Sequence, residues 1–163
     1  METTDTIETT GTTTNAVIDG TVLYSTFYVQ GNIYGIRAIK VQEVINVCHI
    51  TPVHQVTKPF VVGIINLRGR IVSIIDLAAK LGLEKTKLDK DTGIFILESG
   101  TEFIGILVDK ISDVLQINGD LVAPAPGNIQ GVSGRFFDGV YQAENKLIAL
   151  LNPDLVLIEQ EEQ

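Results

Sequence analysis

The 163-residue sequence contains no tryptophan, one methionine and one cysteine, Cys48. A single cysteine cannot form a disulfide within the chain, as is typical of proteins from a reducing compartment. The longest apolar run, residues 60–67, is interrupted by Asn66 and is far shorter than the roughly 20 residues that span a bilayer. The first residues also lack the basic and apolar regions of a signal peptide. These absences predict a soluble, cytoplasmic protein.

Basic residues are scarce, because 12 Lys and Arg stand against 20 Asp and Glu and give a formal net charge of −8. Seven of the acids lie in residues 1–20 and 158–163, which contain no Lys or Arg, so the remaining chain is nearly neutral. No stretch gathers the positive charge that nucleic acids or anionic membrane surfaces require. The composition therefore argues against nucleic acid and against direct membrane insertion.

The two termini differ in composition from the rest of the chain. Residues 1–21 include nine Thr and almost no large apolar side chains, a composition that cannot bury enough surface to offset the cost of ordering. We therefore predict a disordered Thr-rich arm over 1–21, a single domain over 22–157 and an acidic tail over 158–163.

From Val22 onward, short Val- and Ile-rich runs alternate with turn residues, a pattern typical of small β-barrels or sandwiches. Gly31-Asn32 and Ser99-Gly100 are predicted hairpin turns. The predicted strands are at about 22–30, 33–39, 44–50, 60–67, 71–76, 93–98, 102–109, 114–117, 135–141 and 146–151.

Two short helices are predicted where a polar cap precedes a run of helix-forming residues. The first, 76–82, begins at Asp76 and ends at Gly82. The second, 152–160, has Asn152 as its cap and Pro153 at the first position, where proline costs no hydrogen bond.

The sequence repeats itself. Residues 34–47 align with residues 104–117 at an offset of 70, so that Gly35, Lys40, Glu43 and Val44 correspond to Gly105, Lys110, Asp113 and Val114. A second similarity relates the segment from Gly63 to the segment from Gly139. Such duplication predicts two similar units. We expect a mainly β fold of two small five-stranded SH3-like barrels packed together, with subdomain 1 at about 22–88 and subdomain 2 at about 89–157.

Chemistry-bearing motifs are few. Cys48, His49 and His54 are competent metal ligands, but neighbouring strand residues point to opposite faces and no further Cys or His completes a tetrahedral set. We therefore expect a buried thiol and surface imidazoles, with no metal. No phosphate-binding glycine loop is present. The chain is predicted to be neither an enzyme nor a cofactor-binding protein.

Three carboxylates could be considered for catalysis, namely Asp76, Asp109 and Asp113, yet each has a structural role available. Asp76, for example, can cap a helix. Arg68 is more distinctive because it follows a strongly apolar strand and precedes Gly69 at a turn. Two interpretations are open: Arg68 pairs with a carboxylate, for which Glu43 is the candidate, or it is a solvated turn arginine.

Between about residues 26 and 155, four segments occur in the order YGIRAIKVQEV, GIINLRGRIVSIIDL, GILVDKISDVLQI and APAPG. In combination these segments resemble the CheW family of chemotaxis coupling proteins. The related domains of CheA and CheV accompany further domains that are not seen here, so a free-standing coupling protein is favoured.

The resemblance implies two intertwined five-stranded barrels and an adaptor function. CheW-like domains bind the cytoplasmic tip of a chemoreceptor and the regulatory domain of the CheA histidine kinase, and are thereby recruited to membrane-associated receptor arrays. The positions implied in receptor or kinase binding are Val41, Glu43, Gly63, Arg68, Gly105, Ile111 and Val114. The aliphatic residues among them would form the apolar floor for a receptor helix.

One segment departs from the family pattern. Some members carry Arg before the PAP element and an aromatic residue after it, where this chain has Ala123 and Asn128. That difference puts the second kinase contact in doubt. An alternative function is a small-ligand (nucleotide) sensing module that uses a pocket between the two barrels.

Overall fold

The computed structural model describes residues 17–18, 20–53 and 58–158 of the chain. Within these ranges the protein is built from thirteen strands and two short α-helices. The strands are β1 Val17–Ile18, β2 Thr21–Val29, β3 Asn32–Arg37, β4 Val41–Asn46, β5 Val61–Leu67, β6 Arg70–Asp76, β7 Gly93–Ser99, β8 Glu102–Val108, β9 Lys110–Asn118, β10 Asn128–Ile129, β11 Val132–Ser133, β12 Phe137–Ala143 and β13 Lys146–Leu151. The helices are α1 Leu77–Lys80 and α2 Pro153–Ile158.

The first sheet has the strand order β9-β2-β3-β13-β12, with the two-residue strand β1 paired to the start of β2. The pairs are antiparallel except for β13 and β3, which run parallel. The second sheet has the order β4-β7-β8-β6-β5, again with one parallel pair, β6 and β8. The mainly β prediction with two five-stranded units is confirmed, although neither sheet closes completely into a barrel.

The sheets do not follow the order of the chain. The first sheet takes β2 and β3 from the start of the chain and β9, β12 and β13 from its end. The second sheet takes β7 and β8 from the later part and β4, β5 and β6 from the earlier part. The predicted division into consecutive subdomains, 22–88 and 89–157, must therefore be corrected. Each sheet combines a hairpin of one half with three strands of the other.

The two halves repeat the same backbone irregularities. The pairing of β5 with β6 shifts between Val61 and Gly63, and the pairing of β12 with β13 shifts between Phe137 and Gly139, 76 positions further along the chain. A bulge of this kind adds one unpaired residue and bends the strand. The duplication inferred from sequence is thus present in the register of the sheets.

The main core lies where the two sheets pack together. The Phe27 ring contacts the Phe95 ring with centroids 5.1 Å apart, and the Tyr34 ring meets the Phe137 ring edge-on at 5.7 Å. Each contact joins the early part of the chain to the late part. Burial of such rings removes large apolar areas from water and dominates the stability of a core.

The helix predictions hold at their caps. Asp76 accepts a hydrogen bond from the Ala78 amide at the start of α1, and Gly82 follows that helix with a φ of +89°. Asn152 accepts from the amide of Asp154 at the start of α2. Residues 159–160, which the second prediction included, lie outside the described residues, as do most of the predicted arm and tail.

Several predicted boundaries are wrong by a few residues. The hairpin turns lie at residues 30–31 and 100–101, since Val29 pairs with Asn32 and Ser99 pairs with Glu102. Strand β4 ends at Asn46 instead of residue 50, and β9 extends over Lys110–Asn118 instead of 114–117. A bulge early in each of these strands breaks the simple alternation on which the sequence reading depends.

Candidate functional site

Glu43 and Arg68 form an ion pair that links strand β4 to the β5–β6 turn. Arg68 and Gly69 form that turn with φ values of +53° and +84°, a conformation typical of tight hairpins. The Gly69 amide donates to Oδ1 of Asn66 at 2.8 Å, which fixes the turn. Nη2 of Arg68 then donates to Oε1 of Glu43. The predicted partner of Arg68 is confirmed, and we call this pair the clasp.

The clasp lies at the surface. The Arg68 side chain is 69% exposed and the Glu43 side chain 30% exposed. The hydrogen bond to Glu43, with the nearby carboxylate charge, raises the pKa of Arg68 above its ordinary value. Because salt and water screen an exposed pair, the clasp contributes little to global stability. Its role is instead to fix the position of the β5–β6 turn relative to the edge strand β4 of the second sheet.

A concavity of about 410 Å³ lies beside the clasp at one end of the second sheet. All five strands of the sheet contribute to its lining, which consists of Gln42, Glu43, Leu67, Arg68, Arg70, Val72, Ile96 and Phe103. The guanidinium carbon of Arg70 lies 4.2 Å from the centroid of the Phe103 ring, a favourable cation–π geometry. An apolar floor with a polar rim is therefore next to Arg68.

The aliphatic site candidates differ in how far their side chains are exposed to solvent. Val41 and Ile111 are half-buried and pack against the main core. Ile111 also lies directly over Gly93 of the other sheet, where an added Cβ would collide with its side chain. Val114, in contrast, is 58% exposed, and Val44 at the repeat-related position is 40% exposed. The exposed apolar surface of these two edge strands is supplied by Val44 and Val114.

The two candidate glycines are buried and have structural reasons to be glycine. A Cβ on Gly63 would collide with the carbonyl oxygen of Thr51. A Cβ on Gly105 would lie 2.5 Å from Cδ1 of Ile74 and 2.8 Å from Cγ2 of Ile94. Neither glycine presents a surface to a partner, so any influence on binding must act through the packing of the sheet.

Four of the seven candidate residues fall on two strands that occupy equivalent edge positions in the two sheets. Val41 and Glu43 lie on β4, the edge of the second sheet, and Ile111 and Val114 lie on β9, the edge of the first. Ile111 brings the two edges together, because it reaches across to Gly93, which pairs with Asn46 of β4.

The two positions that depart from the family pattern have local structural roles. Ala123 exchanges a pair of backbone hydrogen bonds with Val140, each 2.9 Å. Oδ1 of Asn128 accepts from the Gly131 amide at 3.0 Å and stabilises the β10–β11 turn. Both residues are exposed. The missing arginine and aromatic side chain therefore leave a small, polar surface here.

The possible metal ligands within the described residues are Cys48 and His49, which are neighbours in the chain. Cys48 is exposed and lies beyond the end of β4, so the expectations of a buried thiol and of a strand at this position are both wrong. His54 is outside the described residues. In the described part of the chain, no three His, Cys, Asp or Glu side chains converge as a metal site.

The carboxylates of Asp76 and Asp109 have local structural roles, whereas Asp113 takes part through its backbone. Asp76 accepts from the amide and hydroxyl of Thr86 at 2.8 Å each, in addition to capping α1. Oδ2 of Asp109 accepts from the Gln30 amide at 2.7 Å. The backbone oxygen of Asp113 accepts from the Thr26 hydroxyl. The three lie on different elements and form no catalytic dyad with one another.

A second concavity, of about 440 Å³, was not predicted from the sequence. It lies on the first sheet and brings together an apolar floor that includes Tyr24 and Ile117 and a charged rim that includes Arg37 and Asp138. On the same rim, Nζ of Lys40 lies 3.5 Å from Oδ2 of Asp154. Its lining comes from segments more than 100 residues apart, so no local motif could indicate it.

The fold and the clasp define a class: a duplicated, two-sheet β protein in which each half of the chain completes the sheet of the other. A family model described as the CheW-like domain matches residues 23–161. The chain therefore belongs to the CheW-like family, as the sequence motifs predicted.

Similar proteins that are named CheW agree with this assignment. The chain is 32% identical over 128 residues to the chemotaxis protein CheW of Klebsiella aerogenes, covering 78% of this chain and 76% of the relative. It is 28% identical over 137 residues to CheW of Bacillus subtilis, with coverage of 84% and 87%. The crystal structure of the scaffolding protein TtCheW from Thermoanaerobacter tengcongensis is similar with a TM-score of 0.74 and 28% identity, covering 82% of this chain and 86% of that one.

No helix in the described ranges has the length and apolar character needed to cross a membrane.

Proposed function

We propose that this protein is a non-enzymatic adaptor that couples chemoreceptors to the CheA histidine kinase in chemotaxis signalling. The observation that carries the proposal is the CheW-like match across residues 23–161, on a chain with the two-sheet architecture of a solved CheW scaffolding protein. The relatives named above are chemotaxis proteins, and a scaffold in chemotaxis is the role that they support.

The receptor surface in this proposal is formed by the edge strands β4 and β9. Val44 and Val114 offer exposed aliphatic side chains at repeat-related positions, and an amphipathic helix binds through apolar contacts of this kind. The clasp between Glu43 and Arg68 borders the same region from the second sheet. The tip of a chemoreceptor, a helical hairpin, is the partner that we assign to this surface.

CheA is the second partner in this proposal, through its regulatory domain. We place its contact away from β4 and β9, so that the receptor and the kinase are held at the same time. The surface at Ala123 and Asn128 is small and polar, so the proposed kinase contact does not depend on a large side chain there. The protein itself would be cytoplasmic and reach receptor arrays through the receptor.

Amide chemical shifts of the isotope-labelled full chain test the proposal. A purified receptor signalling fragment and the CheA regulatory domain are added separately, at roughly 50 μM, where a reversible signalling contact is populated. We expect the receptor fragment to shift amides of β4 and β9 and the kinase domain to shift a different set. Absence of binding by both partners would exclude the adaptor role.

A small-ligand or nucleotide sensor remains the alternative hypothesis from sequence. Each of the two concavities described above is lined mainly by one sheet together with its flanking segments, so neither is a pocket between two barrels. The rim charges Lys40 and Asp154 already lie close to one another. A thermal shift measured with ATP and with free purines checks this alternative, and no shift is expected.

A further inference from the structure

The hydrogen-bonded pairs of the two sheets separate into two kinds. Five are local hairpins, β1 with β2, β2 with β3, β5 with β6, β7 with β8 and β12 with β13. The other four, β2 with β9, β4 with β7, β3 with β13 and β6 with β8, each join the N-terminal half, residues 21–83, to the C-terminal half, residues 92–158. Beyond its hairpins, each sheet is therefore held together by contacts between the halves.

The core shows the same division. Phe27 meets Phe95 and Tyr34 meets Phe137, with one ring from each half in both contacts. The buried residues of the main core also come from both halves, for example Ile36 from the first and Val156 from the second. A half separated from its counterpart would expose most of the main core. Each half therefore needs a complementary half to pack against, either from its own chain or from a second copy.

The described connection between the halves is one exposed segment, residues 84–91. It is held to the N-terminal half by the bonds from Thr86 to Asp76 and from Nε2 of Gln30 to the Glu84 carbonyl. It is held to the C-terminal half by the bond from the Asp89 amide to Oγ1 of Thr92. Between these attachments lie Lys87 and the 54% exposed Leu88. A change of direction there breaks no strand pairing and uncovers no core residue.

We propose that two copies of this chain exchange halves through the 84–91 segment and form an intertwined dimer. In that dimer the N-terminal half of one copy completes both sheets with the C-terminal half of the other, so that every pairing and every core contact described above is formed again. The partner is a second copy of the chain because a second copy carries the same complementary strand edges and aromatic rings. Such a dimer presents each surface of the monomer twice, so an adaptor in this form has two binding sites for each partner. The inference does not depend on the proposed function.

The monomer and the exchanged dimer contain the same contacts, so their free energies differ mainly by the cost of bringing two chains together. A short linker holds the two halves at an effective concentration on the order of 1 mM, so the monomer dominates in dilute solution. Refolding at comparable chain concentrations lets exchange compete, and shortening the linker removes the monomer's advantage.

A pair of cysteines distinguishes exchange from ordinary association. Leu23 of β2 and Gln116 of β9 are directly opposed and belong to different halves, and opposed residues in antiparallel strands lie within the distance that a disulfide spans. The test protein carries Leu23→Cys and Gln116→Cys, with Cys48→Ser to remove the exposed native thiol. In the monomer the disulfide is intramolecular. In the exchanged dimer it joins two chains.

The full chain with these cysteines is refolded from denaturant at roughly 10 μM and at roughly 1 mM, oxidised, and analysed by light scattering and non-reducing electrophoresis. A matched variant lacking residues 87–90 is treated in the same way. We expect dimers at the higher concentration and in the shortened variant, and these dimers should stay covalently linked on the gel. Dimers that separate into monomers on the gel, or monomers under all conditions, overturn the proposal. If the shortened variant fails to fold, the presence or absence of covalently linked dimers of the full-length chain at the higher concentration decides whether the proposal holds.

Discussion

Gly63 and Gly139 occupy the same place in the two sheets. Each follows a bulge at the start of an edge strand, and beside each the neighbouring residue bridges to a distant segment. Ile64 exchanges two backbone hydrogen bonds with Thr51, and Val140 does the same with Ala123. A side chain on either glycine would displace that segment, so both positions need glycine for close backbone approach.

The first prediction concerns this approach. A Cβ on Gly139 would lie 2.6 Å from the Ala123 carbonyl oxygen, so Gly139→Ala should lower the free energy of unfolding by about 2–3 kcal/mol through overpacking. Gly127→Ala is the control, because an added Cβ there meets nothing within 4 Å. Urea denaturation measures both variants. Equal effects of the two changes would contradict this account of Gly139.

The second prediction concerns the clasp and receptor binding. Arg68→Ala should weaken binding of a receptor signalling fragment severalfold, since Arg68 no longer holds the β5–β6 turn to Glu43. The charge reversal Glu43→Arg with Arg68→Glu should restore part of the affinity, and the restored part should decline at high salt. Titration calorimetry measures all variants.

A matched control for the clasp is Lys90→Ala, which removes another exposed cation that lies 3.9 Å from a carboxylate, that of Asp91. Lys90 belongs to the 84–91 segment, so its loss should leave receptor affinity unchanged. An additive double-mutant cycle for Glu43 and Arg68 would show that the clasp does not shape the binding surface.

The clasp also shows how far sequence reasoning reaches. Pairing with Glu43 is one of the two interpretations that the sequence allows for Arg68, because a long cation at a tight turn needs a carboxylate. The repeats are visible because Gly35 and Gly105 share a register. Strands and hairpins follow from local patterns. The exchange of the β2–β3 and β7–β8 hairpins between the sheets does not, because a local pattern defines a strand's faces but not which distant edge it pairs with. The first-sheet concavity at Arg37 and Asp138 was missed for the same reason.

The third prediction separates surface from core among the aliphatic site candidates. Val114→Asp should leave the free energy of unfolding within about 0.5 kcal/mol of the parent and should abolish receptor binding, because Val114 is 58% exposed. Ile111→Ala should instead lower stability by about 2 kcal/mol or more, because Ile111 packs on Gly93 and the main core. Binding and denaturation are measured on the same preparations. Unchanged receptor affinity in Val114→Asp would remove β9 from the proposed surface.

The fourth prediction concerns Asp76, a buried carboxylate that accepts three hydrogen bonds from Ala78 and Thr86. Asp76→Ala leaves those donors without their acceptor and should cost about 2–4 kcal/mol. Asp76→Asn should cost less, because an amide oxygen still caps α1, as Asn152 caps α2. Denaturation of both variants measures the difference. An equal loss in the two variants would mean that the cap bond contributes nothing.

The fifth prediction concerns Tyr34, whose buried hydroxyl has no hydrogen-bond partner among the residues that the structure describes. Burial raises the pKa of Tyr34 from 10.0 to about 12, so the folded protein keeps the phenol neutral where the unfolded chain ionises it. The stability linked to this group is present below pH 10 and declines as the pH rises toward 12, by about 1.4 kcal/mol for each pH unit.

Tyr34→Phe should remove that decline and raise the free energy of unfolding at neutral pH by about 1 kcal/mol, because no polar atom is left desolvated. Tyr141→Phe, at a half-buried position on β12, is the control and should keep the alkaline decline. Denaturation curves between pH 7 and 12 measure both effects, and a Tyr34→Phe protein less stable than the parent at neutral pH would show that the hydroxyl has a favourable partner after all.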